Sequence, residues 1–265
     1  MKIGIVGCAG RMGRMLVAQT LATEGCALIG GTEHAESPFL GQDVAALAGV
    51  DNAGLHVSSD TDALFAEADV VIDFTLPQAT IDHVDAAAKH GTALVLGTTG
   101  LGVGEQVAVE KAAASVAIVQ AANYSVGVNL LMGLTTQVAG ILDEDYDIEI
   151  VEMHHRHKVD APSGTALALG QSAAEGRGVD LGAVSQRVRD GHTGARTAGD
   201  IGFATLRGGD VVGDHSVIFA ADGERIELTH KASNRSVFAR GAVRCATWCE
   251  GKGPGLYTMR DVLGL

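Results

Sequence analysis

Ile3-Gly4-Ile5-Val6-Gly7-Cys8-Ala9-Gly10-Arg11-Met12-Gly13 is the stretch whose reading decides the fold. Ile3 to Val6 is a short apolar strand, three glycines follow, and a helical stretch runs on to about Thr23. A tight glycine turn after a first strand lets backbone approach a pyrophosphate, and the next helix points its N–H groups at that anion. The spacing is G-x-x-G-x-x-G rather than the commoner G-x-G-x-x-G, so the triplet alone also fits a plain strand–helix turn. Context adds to it. Ala27 to Thr32 reads as a second strand and ends at Glu33, twenty residues after Gly13. An acid there would accept hydrogen bonds from the adenosine ribose hydroxyls.

Working outward, Val70 to Thr75 is a third strand and Pro77 opens a helix to about His90. Ala93 to Leu96 is a fourth, closed by Gly97-Thr98-Thr99-Gly100. A helix near Gly104 to Ala114 leads to the strand Ala117 to Gln120, followed by Ala121-Ala122-Asn123-Tyr124. Apolar strands without alternation, each followed by a helix, predict a parallel sheet covered on both faces. The fold class is therefore α/β, an N-terminal Rossmann-type parallel sheet, with ligands expected at the carboxyl ends of its strands.

The second half has another texture. A helix from about Val126 to Leu142 precedes an alternating run in which Tyr146, Ile148 and Ile150 face one way and Asp147 and Glu149 the other. Ile201 to Leu206 reads as strand, and Val217 to Ala221 and Arg225 to His230 flank Asp222-Gly223, a hairpin signal. These pieces predict a second α+β domain with a mixed, largely antiparallel sheet. Ser236 to about Glu250 looks helical, and the last residues form one final turn packed on the first domain. The expected division is a dinucleotide-binding domain over 1–124, completed by 235–265, and a substrate-binding and oligomerisation domain over 125–234.

The chemistry concentrates in Glu152 to Ala166, E-M-H-H-R-H-K-V-D-A-P-S-G-T-A, which holds three of the ten histidines. Pro162 and Ser163 are helix-start residues, so the cluster is expected on a loop between a strand end and a helix N-terminus. Proton donors and a cation beside free backbone N–H groups suit a small anion that must be bound and protonated. A metal site is the poorer reading, because H-E-x-x-H and a nearby cysteine are missing. G-x-S-x-G is missing too, which argues against a serine nucleophile. The formal charge of -13 argues against nucleic acid. The first residues do not read as a signal peptide, and no apolar run approaches a membrane span. Four cysteines without a C-x-x-C pair fit reduced thiols in a cytoplasmic protein.

E-x-H-H-R-H-K-x-D-A-P-S-G-T-A closely resembles the signature of the 4-hydroxy-tetrahydrodipicolinate reductase family, formerly dihydrodipicolinate reductase, of bacterial lysine and diaminopimelate synthesis. The likeness covers nearly the whole chain, including Asp73-Phe74-Thr75, Asn123 to Asn129 and Arg235 to Ala242. It implies His154 as general acid/base and Lys158 as a second proton-donating or orienting group. It implies substrate contacts at His155, Ser163, Gly164, Thr165 and Arg235. It places the cofactor against Gly7, Cys8, Ala9, Gly10, Arg11, Met12, Glu33, Gly97, Thr98, Thr99, Ala121, Ala122, Asn123 and Tyr124. It further implies reduction of a small cyclic dicarboxylate by NADH or NADPH, and a homotetramer. Other two-domain nicotinamide dehydrogenases and a non-catalytic dinucleotide sensor are the alternatives. The Asp-Ala-Pro-Ser-Gly-Thr segment and the intact His154 and Lys158 argue against them. One position departs from the pattern: many relatives carry Arg directly after the acid of the second strand, and here it is His34. A histidine is only a part-time cation near neutrality, so NADH is expected to be preferred or equal.

Overall fold

The chain alternates strand and helix from its first residues, and the computed structural model describes all of residues 1–265. It divides into two units, residues 1–126 with 236–264 and residues 127–235 with Leu265. No helix is long and apolar enough to cross a membrane.

In the first unit β1 (Lys2–Val6), α1 (Arg11–Leu21) and β2 (Ala27–Thr32) come first. Two short helices follow, α2 (Val44–Leu47) and α3 (Thr61–Glu67), started by the side chains of Asp43 and Asp60 on backbone N–H groups. Then come β3 (Val70–Asp73), α4 (Pro77–His90), β4 (Ala93–Leu96), α5 (Val103–Ala113) and β5 (Ala117–Gln120). Pro77 opens α4, and left-handed Gly91 closes it. Every pairing in this sheet is parallel. Alternate strand residues go to opposite cores. Ile3, Ile5, Ile72, Val95 and Val119 pack with α1 on one face. Val71, Leu94, Leu96 and Ile118 pack on the other with Val84 and Ala87 of α4 and Val109 of α5. Both faces are buried, which is why these strands read as unbroken apolar runs.

The second unit begins with α6 (Val126–Ile141) and β6 (Asp147–His154), then α7 (Gly164–Arg177), α8 (Leu181–Val184) and β7 (Ser185–Gln186). It closes with β8 (Ile201–Arg207), β9 (Gly213–Ala221) and β10 (Glu224–Ala232). The sheet order is β10-β9-β6-β8-β7. It is mixed: β6 runs antiparallel to β9 and parallel to β8. Asp222-Gly223 is the two-residue hairpin loop between β9 and β10, with Gly223 at φ 88°. Ile148, Ile150, Val217 and Phe219 bury one face under Leu169 and Ala173 of α7.

The chain then returns to the first unit as α9 (Ser236–Trp248), β11 (Gly255–Tyr257) and α10 (Met259–Leu263). The final turn expected from the sequence is α10. Before it, β11 pairs parallel with β5 and makes the sheet six-stranded, order β11-β5-β4-β3-β1-β2. Three residues beginning with a glycine carry no periodicity, so this strand is set by the neighbouring β5 rather than by local pattern.

Candidate functional site

In the first unit the sheet order reverses at β1, which lies between β2 and β3. A crevice at the carboxyl ends of those strands is where open α/β sheets take ligands. A cavity of about 550 Å³ opens there, lined by Gly7, Ala9, Gly10, Glu33, Phe39 and Thr75 among others. The loop has its shape for two reasons. Gly7 sits at φ 69°, a region that strains other residues. A Cβ on Gly13 would lie 2.0 Å from the Gly7 carbonyl oxygen, so only glycine lets α1 start this close to β1. Gly10 caps α1 with no side-chain hydrogen bond, so the first-turn N–H groups are left for an outside acceptor. Glu33 turns toward the loop and accepts from the Ala9 N–H at 2.8 Å. Arg14 is tied down, donating to the Ala9 carbonyl at 2.8 Å and lying 5.2 Å above the Phe39 ring. The bare loop, the orphaned helix start and the acid fit a dinucleotide.

Behind this crevice lies Asp73, fully buried at the end of β3. Its Oδ1 accepts from the Thr75 N–H and hydroxyl at 2.8 and 2.7 Å and from the Thr98 hydroxyl at 3.2 Å. Its Oδ2 meets His83 Nδ1 at 2.7 Å. One carboxylate thus holds the loops after β3 and β4 together, and the sequence reading did not assign it a role. Thr98 is buried in this arrangement, whereas Thr99 and Ala122 are exposed and Gly97, Ala121 and Asn123 are half-buried. Arg11 is exposed and Met12 half-buried at the helix start. Two expected cofactor residues turn their side chains away. Cys8 is buried, with its thiol pushed up to about 12 chiefly by burial. Tyr124 is buried, its hydroxyl 2.8 Å from the Leu96 and Val119 carbonyls. Their side chains belong to the core, and only their backbone remains for a ligand.

In the second unit the inward phase of β6 runs on past Ile148 and Ile150 to Glu152 and His154. Both are therefore on the strand, not on the loop where the sequence reading put the cluster. Glu152 is 1% exposed, and a buried carboxylate needs partners. It has four bonds. His154 Nδ1 is 2.5 Å from Oε2, the Ser163 N–H donates to Oε1 at 3.0 Å, and Arg207 donates to both oxygens at 2.8 and 2.9 Å. Burial pushes the Glu152 carboxyl up, but Arg207, His154 and the Ser163 N–H outweigh it and hold it below the usual carboxylate range. Burial draws the His154 imidazole below its ordinary range; Glu152 opposes that, while Lys158 and Arg207 add to it.

His215, which the sequence reading missed, pairs across from Glu152 on β9. Its ring stands edge-on to His154 with centroids 5.0 Å apart, and its Nε2 lies 3.1 Å from the Ser163 hydroxyl. Burial, with His154 nearby, pulls His215 down to about 4. Extending the Val217–Phe219 alternation two residues back would have placed it inward. Arg207, also missed, ends β8 and carried no such phase signal. Ser163 needs a correction. Its hydroxyl caps α7 by accepting from the Ala166 N–H at 3.1 Å, and its own N–H is spent on Glu152. Neither its hydroxyl nor its N–H is left to hold a substrate carboxylate, while Gly164 is exposed and Thr165 half-buried. Lys158 is ion-paired with Asp160 at 2.9 Å. His155 is half-buried, its N–H donating to the Val211 carbonyl at 2.7 Å. Arg235, half-buried, ends the unit just before α9.

A doubly wound nucleotide sheet joined in one chain to a unit with a buried acid–base cluster defines a nicotinamide-dinucleotide oxidoreductase. Comparison with known proteins makes this more specific. A family model described as dihydrodipicolinate reductase, N-terminus, matches residues 1–124, and its C-terminal counterpart matches residues 127–263. The 4-hydroxy-tetrahydrodipicolinate reductase of Afipia carboxidovorans is 55% identical over 265 residues, all of this chain and 97% of its own length. That of Parvibaculum lavamentivorans is 56% identical over all of this chain and 98% of its own. The chain belongs to the dihydrodipicolinate reductase family. A dipicolinate-bound dihydrodipicolinate reductase from Paenisporosarcina sp. TG-14 shares the fold, with TM-score 0.80, 23% identity and 98% of each chain covered. An amine dehydrogenase from Mycobacterium smegmatis shares it more loosely, at TM-score 0.61 and 12% identity over 97% of this chain and 94% of its own.

Proposed function

We propose that the chain reduces 4-hydroxy-tetrahydrodipicolinate to tetrahydrodipicolinate with NADH or NADPH, in the diaminopimelate route to lysine, as a cytoplasmic homotetramer. The observation that carries the reading is the placement of His154. It is an acid–base side chain backed by a buried carboxylate, at a strand end, in a chain alike over its whole length to reductases of that name. The bound nicotinamide supplies the hydride. The loop from Gly7 to Met12 and Glu33 hold its dinucleotide, with Gly97 to Thr99 and Ala121 to Tyr124 along the strand ends. The substrate loses water and gains a hydride and a proton. His154 delivers the proton as charge builds on the ring, and Lys158 sets a positive charge beside that charge or a carboxylate. Gly164 and Thr165, at the start of α7, offer N–H groups to a carboxylate, with His155 and Arg235 as further contacts. The four cysteines are all free thiols, which suits a reducing compartment. The deciding assay is oxidation of NADH and of NADPH by the purified chain with freshly made hydroxy-tetrahydrodipicolinate. Turnover with either cofactor is expected. No oxidation above the substrate-free rate would sink the reading.

A further inference from the structure

His154 has two ring nitrogens, and the structure treats them differently. Nδ1 is 2.5 Å from the Glu152 carboxylate. Nε2 points past the bare backbone of Gly213, where a Cβ would come within 3.0 Å of it. Glu152 cannot swing away, because Arg207 grips both its oxygens and the Ser163 N–H fixes one of them. Arg207 is held in turn by the Asp160 and Leu206 carbonyls, both at 2.7 Å. His215 walls the ring on the β9 side.

We infer that Glu152 is the positioning residue for proton transfer: clamped by Arg207 and the Ser163 N–H, it holds His154 with Nδ1–H turned inward and leaves Nε2 as the atom that carries the proton. This rests on His154 being the acid. An ionised carboxylate only accepts hydrogen bonds, so the ring must present N–H to it in either protonation state. The second proton then sits on Nε2, on the side where Gly213 carries no side chain. Gly213 is part of the device, because any side chain there would press on that nitrogen. A neutral histidine with the opposite tautomer would set the Nδ1 lone pair against the carboxylate and make no hydrogen bond with it.

The charged and titratable groups facing His154 are Glu152 on its own strand, Arg207 on β8, His215 on β9, and Lys158 in the following loop. Asp160 faces Lys158, and His230 on β10 faces His215. Glu152 is the anion in direct contact with the ring, and the two cations nearby oppose protonation. Removing its charge leaves Arg207 and Lys158 unbalanced, so the protonated ring is lost at lower pH. The sign follows: activity needs the protonated form, falls as pH rises through the His154 titration, and falls earlier without Glu152.

The test is the single-turnover rate of cofactor oxidation against pH for wild type, Glu152→Gln, Glu152→Asp and His154→Gln. In Glu152→Gln the descending limb should move down by about 1–3 pH units, the usual effect of a close opposite charge. Above both limbs the rate should fall about tenfold for each unit moved. The KM for the cofactor should hold. Glu152→Asp, which keeps the charge, should return the limb close to wild type while the rate stays reduced. A merely structural role would lower the rate of both variants with the limb in place, and a folded Glu152→Gln with an unmoved limb overturns the inference. Imidazole ¹⁵N spectra of the full wild-type chain, assigned by the signal missing in His154→Gln, give a second reading that needs no Glu152 variant. Nδ1–H in the neutral ring is expected, and Nε2–H overturns the inference. His154→Gln separates the two levels. If it turns over like wild type, the acid itself is misassigned; if it is dead while Glu152→Gln leaves the limb in place, only the positioning role fails.

Discussion

At the scale of single residues, two pairs decide what this enzyme does. His154 and Lys158, proposed above to carry the proton and the charge, are both already paired, His154 with Glu152 and Lys158 with Asp160. Asp160 is more than half exposed, so the Lys158 pair can part at little cost. We expect His154→Gln to lower kcat by roughly 10²–10⁴ with cofactor affinity little changed, and Lys158→Ala to cost a comparable amount. A His154→Gln rate within about threefold of wild type would remove it from the mechanism. The second pair is Glu33 and His34. Glu33 can accept from both ribose hydroxyls of NADH and repels the 2′-phosphate of NADPH. His34 follows Glu33, where the family resemblance puts an arginine in many relatives, and it lies 3.4 Å from the Glu36 carboxylate. Arg14 is committed to the Ala9 carbonyl and Phe39, whereas Arg11, at the start of α1, is exposed. NADH should be preferred or equal, because the histidine at this position lacks the permanent, fork-shaped charge of an arginine. His34→Arg should shift preference toward NADPH by about 1–2 kcal/mol. The check is kcat/KM for both cofactors in wild type and His34→Arg, and a strong NADPH preference in the unmodified chain would overturn the reading.

At the scale of elements, what could be read from the sequence followed one rule. Elements with an apolar pattern or end signal of their own were legible: α4 starts at Pro77 and ends at His90, β4 covers Ala93 to Leu96, and the Asp222-Gly223 turn sits between its strands. The short pieces were not: α2 and α3 cover four and seven residues and β11 three, and these take their form from what they pack on. The site divided the same way. The signature named His154 and Lys158, and the structure sets His154 against Glu152 and Lys158 against Asp160. Glu152 was visible but without a role, because its role is a contact with Arg207 from a strand far along the chain. His215 hid because polar residues on the inward phase of a strand look like noise until their partners are known. That inward placement has a cost that can be measured. His215 is 4% exposed and titrates at about 4 in the fold, against about 6.5 unfolded. Its folded value is depressed, so its neutral form supports the fold above about pH 6.5, and that support is lost as pH falls toward 4. The loss amounts to roughly 3 kcal/mol at most. Glu152, also held low, acts in the same direction at lower pH. Urea unfolding midpoints should drop across this window, and His215→Gln should flatten the drop. Equal slopes in the two proteins would mean that His215 takes up its proton without strain on the fold.

At the scale of the molecule, the two sheets differ in how they end. The parallel sheet is finished by chain that returns from elsewhere: β11 covers the β5 edge, and α9 and α10 join the core on one face. The mixed sheet has no such cover. One edge is β7, two residues long and therefore a poor template for further pairing. The other is β10, nine residues long and mostly exposed from Glu224 to Ile226 and on to Glu227. A long open edge invites another chain, and Arg225 and Glu227, ion-paired at 2.8 Å on its outward phase, discourage indiscriminate partners. A formal charge of -13 further opposes casual association. What remains is a specific partner, and a copy of the same chain is the simplest because closed symmetry uses up equivalent edges. The second unit's sheet should therefore pair between subunits in the homotetramer proposed above. Sedimentation at micromolar concentration should show a tetramer. Because the attraction must work against like net charge, raising the salt should hold or tighten the assembly rather than dissolve it. A strict monomer with full reductase activity would show that β10 is guarded by its own charges alone and that the second unit needs no partner to do its chemistry.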